Sequence, residues 1–237
     1  MHLFYQPVIN TGTFALDPSE STHCTRVLRL NAGDTIHLTD GQGKLFLAKI
    51  VNPDKKASQI QITGVSHIPR ERDYFLQIAL APTKKIERFE WFIEKATEIG
   101  IDRIIPLICF NSERRVIKED RLRKIAVAAM KQSLKAWLPE ITCALSFREL
   151  VEQEQGLNKF IATADIPEGK HLANMYRKGS NVLILIGPEG DFHKDEMDMA
   201  RSEGFIPANL GKSKLRTETA GLVACHTVNL VNATQKY

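Results

Sequence analysis

The chain has no long apolar run. Val182–Ile186 is among its longer ones, far short of the ~20 residues that cross a bilayer. Its opening, MHLFYQPVIN, holds no basic stretch followed by a long apolar one, so no secretory signal is expected. Cysteine is scarce: Cys24, Cys109, Cys143 and Cys225 are widely scattered, with no CxxC pair and no neighbouring histidine cluster. That excludes a clustered zinc site and a disulfide-stapled scaffold. Reduced, mostly buried thiols, no metal and a cytoplasmic location are the expectations. Internal repeats and low-complexity tracts are missing too. So are two nucleotide signatures, GxGxxG after a strand and GxxxxGK(S/T), which excludes a dinucleotide-type site and a P-loop.

What remains is ordinary in amount and uneven in placement. The 237 residues are 43% hydrophobic and 25% charged, the composition of a soluble globular chain with one large domain or two modest ones. Formal net charge is +4, from 32 Lys+Arg against 28 Asp+Glu. The surplus is concentrated: Arg114, Arg115, Lys118, Arg121, Arg123, Lys124, Lys131 and Lys135 stand in one window against Glu119 and Asp120. A basic face of this kind draws polyanions with a strong salt dependence, although a merely solvated helix face gives the same pattern.

Residues 1–70 read as short β elements. Thr35–Thr39 and Leu45–Val51 flank Asp40-Gly41-Gln42-Gly43, a hairpin signal, and Ser58–Val65 alternates like another strand. His23–Leu30 reads as a short helix. Several short strands with tight turns suggest a small barrel, with Ile68–Arg72 as a linker to residues 71–237. From there strands alternate with helices: Phe75–Ala81, Ile104–Cys109, Lys159–Thr163, Val182–Ile186 and Pro207–Leu210 against helices ending at Ile99, over Asp120–Ala136, Lys194–Ser202 and Thr217–Asn232. That rhythm predicts an α/β domain with a parallel sheet. The last helix, apolar on nearly every side, belongs in a core or an oligomer interface.

Ligands of such sheets bind beyond the carboxyl ends of the strands. Two segments fall there: Gly187-Pro188-Glu189-Gly190-Asp191-Phe192 after one strand, and Gly211 to Ala220 after another. Glycine after a strand lets backbone approach a ligand, and loop amides and carbonyls can read a planar base. Arg216 precedes the last helix, whose start at the N-cap candidate Thr217 favours an anion. An ordinary turn explains Gly-Pro-Glu-Gly equally well when it is taken alone.

Taken together, Ile-Gly-Pro-Glu-Gly (186–190) and Leu-Gly-(x3)-Leu-Arg-Thr-Glu-Thr-Ala (210–220) resemble the RsmE family of ribosomal RNA uridine-N3 methyltransferases, of the SPOUT class. Glu94–Gly100, Ser112-Glu113-Arg114, Gln132-Ser133 and Pro139-Glu140-Ile141 extend the likeness upstream, and His23–Leu30 with Gly33-Asp34 resembles the family's N-terminal barrel. The resemblance covers essentially the full chain. It implies a PUA-like small β-barrel over 1–70 and a SPOUT α/β domain over 71–237, whose trefoil knot binds S-adenosylmethionine. It implies methylation of uridine N3 in small-subunit (16S) ribosomal RNA, and a homodimer that touches no membrane. Ile186, Gly187, Pro188, Glu189, Gly190, Leu210, Gly211, Leu215 and Thr217 are then the cofactor-binding residues. Arg216 and Glu218 are the catalytic candidates, Arg216 to stabilise the uridine anion and Glu218 as the nearest carboxylate. Arg26, Arg29, Lys44, Arg114, Arg115, Lys131 and Lys135 are the RNA-binding candidates. This chain departs from the family pattern at Asp191 (a second glycine), His193 (Ser or Thr, which weakens a capping box with Glu196), Lys131 (acidic), Lys135 (Arg) and His2 (Arg). Two other readings stay open: a non-catalytic RNA-binding or ribosome-assembly protein of the same fold, and a SPOUT enzyme acting on ribose 2′-oxygen.

Overall fold

The computed structural model describes residues 2–9, 12–70, 72–154, 158–163 and 170–234, so that Glu71 of the expected linker lies outside the described residues. The chain divides into two compact units, Met1–Glu71 with Val127–Leu138, and Arg72–Ala126 with Pro139–Tyr237.

The first unit is a five-stranded mixed sheet. Strands β1 (Leu3–Tyr5), β2 (Thr13–Ala15), β3 (Thr35–Thr39), β4 (Lys44–Asn52) and β5 (Gln59–His67) lie in the order β1-β3-β4-β5-β2. Only β1–β3 is parallel. Alternation puts Ile36 and Leu38 of β3 and Ala48 and Ile50 of β4 on the inner face, where they meet Phe4, Leu16, Cys24 and Ile60. The expected hairpin is present: Gly41 and Gly43 have φ of +74° and +90°, and Asp40 Oδ1 accepts from the N–H of Gln42 (2.7 Å) and of Lys44 (3.2 Å). The helix expected over His23–Leu30 begins earlier. Helix α1 covers Pro18–Thr22, with proline in its first turn, and runs into a π-helical turn over His23–Val27.

Val127–Leu138 joins this unit although it is distant in sequence. Thr39 Oγ1 donates to the Ala136 carbonyl (3.1 Å), Leu138 N–H to Gly41 (2.9 Å) and the Trp137 indole to Ile68 (3.0 Å). Trp137 fills the space over Gly43, where an added Cβ would collide with its ring. Gly43→Ala therefore meets both a left-handed backbone and an occupied site. It is expected to destabilise this unit by about 2–4 kcal/mol, read as a lower urea midpoint at unchanged slope.

The second unit is built on a parallel sheet. Its elements are β6 (Leu76–Leu80), α2 (Ile86–Ile99), β7 (Arg103–Ile108), α3 (Glu119–Gln132), β8 (Glu140–Ile141), β9 (Leu145–Ser146), α4 (Phe147–Gln153), β10 (Asn158–Ala162), α5 (Leu172–Met175), β11 (Val182–Ile186), α6 (Lys194–Ser202), β12 (Ile206–Ala208) and α7 (Thr217–Thr234). The last turns of α3, from Val127, belong to the first unit. Strand order is β12-β10-β11-β6-β7-β8, with β9 also on β7, and every pairing is parallel. The central strands β6 and β11 are buried along their whole length, which is why they read as apolar runs, broken in β6 only by the buried Gln77. Phe147, Leu150, Phe192, Ala200 and Phe205 from α4, α6 and their flanks cover Leu107, Ile161, Leu183 and Leu185 on one face. Helices α2 and α7 pack together, α7 also lying on β6 and β11. Gly221 permits that approach, since a Cβ there would collide with Leu80 and meet the Phe92 ring at 2.8 Å.

Two boundaries move. Helix α3 stops at Gln132 rather than Ala136, because Leu134 takes φ +55° and Lys135 N–H turns back to the Met130 carbonyl (3.0 Å). The strand expected over Pro207–Leu210 is Ile206–Ala208, which frees Leu210 for the following loop.

Candidate active site

Because β6, β7 and β11 are parallel, the loops that follow them leave from one edge. They are tied together there. Lys84 N–H donates to Glu189 Oε1 (3.1 Å), and Asn111 Nδ2 donates to the carbonyls of Gly190 (3.2 Å) and Asp191 (3.0 Å). Arg114 donates to the carbonyls of Thr83 (3.3 Å) and Lys84 (3.0 Å), while Lys84 Nζ pairs with Glu113 (2.9 Å). Glu189 thus braces the loop after β6 through one carboxylate oxygen.

The turn after β11 is tight. Asp191 N–H donates to the Pro188 carbonyl (2.9 Å), and Asp191 itself has φ +60°. This left-handed backbone accounts for the second glycine of the family pattern, and aspartate is among the few other residues that tolerate it. Its Oδ1 accepts from Phe192 N–H (2.8 Å). At Gly187 a Cβ would meet the Phe192 ring at 3.1 Å, which the glycine avoids. The capping box expected to be weakened at His193 is intact: its Nδ1 accepts from Asp195 N–H (3.3 Å), and Glu196 Oε2 accepts from His193 N–H (2.9 Å). An imidazole nitrogen takes the place of the usual hydroxyl.

The second loop runs from β12 to α7. Asn209 N–H donates to Lys170 (2.9 Å), and Leu172 N–H to the Asn209 carbonyl (3.0 Å). Gly211 follows with φ +117°, and among the described residues nothing beyond its chain neighbours lies within 4 Å of where its Cβ would stand. Leu210 and Leu215 are half-buried. Helix α7 begins at Thr217, so Thr217 is its buried first residue rather than its cap, and the Arg216 carbonyl accepts from Ala220 N–H (2.8 Å). The Arg216 side chain is exposed and, among the described residues, has no hydrogen-bond or ionic partner. Glu218 is its opposite: the side chain is 9% exposed, Oε1 lies 3.8 Å from Arg88 Nε, and Oε2 is buried without a hydrogen-bond partner. Arg88, in the first turn of α2, was not legible from sequence, since only the fold brings it to a residue so far along the chain.

The expected RNA-binding residues fare unevenly. Arg114 is spent on loop carbonyls, as above, and Arg115 donates to those of Cys109 (3.5 Å) and Phe110 (3.1 Å). Lys131 is held by both carboxylate oxygens of Glu20 (2.6 and 2.8 Å) within the first unit. These three charged heads each have partners within the protein. Arg26, Arg29 and Lys44 are exposed, Lys135 is half-buried, and Arg29 takes φ +53° at the end of the π-helical segment. Of the four cysteines, Cys24, Cys109 and Cys225 are buried, and burial pushes the Cys24 and Cys109 thiols up. No helix among the described residues is long and apolar enough to cross a membrane.

The comparisons with known proteins place both units in a two-domain RNA methyltransferase. The model of the RNA methyltransferase domain matches residues 70–229, and that of the RNA methyltransferase PUA domain matches residues 16–63. A probable rRNA-methyltransferase from Porphyromonas gingivalis superposes with a TM-score of 0.92 at 42% identity, covering 98% of this chain and 99% of that one. A ribosomal RNA small subunit methyltransferase E from Neisseria gonorrhoeae, solved bound to S-adenosyl methionine, gives 0.84 at 27% identity, over 95% of each chain. The Mesomycoplasma hyopneumoniae protein of that name is 30% identical over 76% of this chain and 79% of its own length. The chain belongs to the ribosomal RNA small subunit methyltransferase E family.

Proposed function

We propose that the protein transfers a methyl group from S-adenosylmethionine to N3 of a uridine in small-subunit (16S) ribosomal RNA, as a cytoplasmic homodimer. Membership of the family supports the reaction class. The observation that carries the site is that, at the start of α7, Arg216 is exposed and without a partner among the described residues, while Glu218 nearby in the chain is buried with one oxygen unbonded among them. The residues fit the donor chemically. Open backbone at Gly211, half-buried Leu210 and Leu215, and the braced 187–190 turn offer apolar contact and main-chain groups to an adenosine. The orphaned Glu218 oxygen is a spare acceptor beside them. Ile186, Gly187, Pro188, Glu189, Gly190, Leu210, Gly211, Leu215 and Thr217 hold the donor in this reading, and a trefoil-knotted path of the C-terminal segment belongs to it.

Bound S-adenosylmethionine supplies a methyl group already activated by its sulfonium, so the protein's work falls on the acceptor. Uridine N3 must lose a proton, which leaves negative charge spread over O2, N3 and O4. Arg216, which has no partner among the described residues, supplies the guanidinium that stabilises this charge in our reading. Glu218, at a helix start and 3.8 Å from Arg88 Nε, orients this edge. Domain bounds near residue 70 and phosphate contacts from Arg26, Arg29, Lys44 and Lys135 complete the reading.

The test is to incubate the protein with labelled donor and small ribosomal subunits from cells lacking its gene, then map the methylated nucleoside. N3-methyluridine in the small-subunit RNA is the expected product. Label on a ribose 2′-oxygen would move the reaction to the other acceptor. No transfer together with no donor binding would leave a non-catalytic assembly protein.

A further inference from the structure

Beside the loop after β7, and apart from the 187–190 and 210–217 loops, the second unit has a cleft of about 310 Å³. Its floor is apolar, made by Ile108, Phe147 and Met199. Phe110 stands at the mouth, 66% exposed, with its ring 4.6 Å from that of His193 and tilted by 40°. An exposed phenylalanine is unremarkable by itself; this one is held in place. Its N–H donates to Glu196 (2.8 Å) and its carbonyl accepts from Arg115 (3.1 Å), so charged groups on both sides fix the backbone that presents the ring. A rigid aromatic left open to solvent is a stacking platform.

The rim carries both signs. Arg148, exposed at the start of α4, presents a guanidinium paired through one nitrogen with Glu152 (3.1 Å), and Asp195, on the α6 side, is 87% exposed. Each oxygen of the Glu196 carboxylate accepts from one backbone N–H, which fixes it as a brace of the rim. A nucleotide matches this set: a planar base for Phe110 and the apolar floor, a phosphate for Arg148, and the N–H edge of the base for Asp195. Asn111, next to Phe110, bonds directly to Gly190 and Asp191, so the cleft abuts the loop assigned above to the donor.

The geometry points to a second nucleotide subsite, in which an unpaired base of the substrate RNA next to the methylated uridine stacks on Phe110 with its phosphate at Arg148. This inference rests on the RNA methyltransferase reading and deepens it, because it assigns single-stranded character to the RNA around the target. No residue in the cleft is needed for donor binding or for the chemistry.

The experiment is steady-state methylation of small ribosomal subunits by the full chain, with Phe110→Ala, Phe110→Trp and Arg148→Ala. Phe110→Ala is expected to raise KM for the subunits about tenfold, with kcat and donor affinity at wild-type values. Phe110→Trp should restore KM, which a loss of loop structure would not allow. Arg148→Ala should raise KM about threefold and lower the salt dependence of KM by about one ion. Wild-type KM for both alanine variants, in an enzyme that methylates normally, overturns the subsite and leaves the function standing. A tenfold effect that Trp does not rescue, or that comes with a lower melting temperature, makes Phe110 structural and also overturns it. Failure of the wild-type protein to methylate RNA at all overturns the functional reading, and the subsite with it.

Discussion

Arg216→Ala is expected to lower kcat for methyl transfer about 100- to 1,000-fold at saturating donor and RNA, equivalent to about 2.7–4 kcal/mol of lost transition-state stabilisation. The guanidinium is exposed and without a partner among the described residues, so its removal breaks no internal contact. The melting temperature and the donor affinity measured by calorimetry should hold. A residue that merely propped the loop would show the reverse pattern, with weaker donor binding and a turnover that recovers at saturation. Arg216→Lys keeps the charge but loses the planar fork, and should recover part of the loss.

The pH profile separates the two roles further. The reacting species is the uridine anion, so turnover rises with pH until deprotonation is complete. A cation beside N3 brings that plateau to lower pH. Arg216→Ala should therefore move the rising limb upward, and the deficit against wild type should shrink as the solution becomes more alkaline. If both variants turn over within about threefold of wild type across the profile, Arg216 does not stabilise the anion.

The parts of the molecule that were legible in sequence share a physical reason. Strands β6 and β11 are buried on both faces, and α2 repeats apolar residues at helical spacing with Gly100 as its stop, so single-sequence patterns carry them. Strands β1, β2, β8 and β9 span only two or three residues and are made by their neighbours rather than by their own pattern. Helix α4 did leave a signal, the Ser146–Glu149 capping box, in which each residue satisfies the other's N–H. The site divides likewise. Its glycine loops were visible, whereas the Arg88–Glu218 approach and the Phe110 platform depend on how distant segments meet. The basic window is visible in sequence as a concentration of charge, whereas the bonds of Arg114, Arg115 and Lys131 to loop carbonyls and a carboxylate depend on the fold.

Lys131→Met is expected to destabilise the first unit by about 2–3 kcal/mol. Breaking a fully buried pair costs about 3–5 kcal/mol because the remaining charge is stranded, and the partial exposure of Lys131 (18%) against Glu20 (9%) trims that figure. Methionine keeps the length of the stem and removes only the ammonium, which meets Glu20 and stands 5.7 Å from the Phe4 ring centroid, so the loss reports the charge. Adding Glu20→Gln should recover most of the stability, since an uncharged pair strands nothing. His23 supplies a second readout. Burial first, and the Lys131 charge second, hold its imidazole below the ordinary value near 6.5. The unfolded chain then binds this proton more readily than the folded one, so His23 lets stability fall as pH drops below about 6.5. Without Lys131 the depression is smaller, and the loss between about pH 7.5 and about pH 5.5, followed by urea unfolding, should narrow. A double variant that is stable and methylates small subunits with unchanged KM would establish that the 131 position serves the fold of the first unit. A Lys131→Met protein as stable as wild type, but with a raised KM, would return this lysine to the RNA.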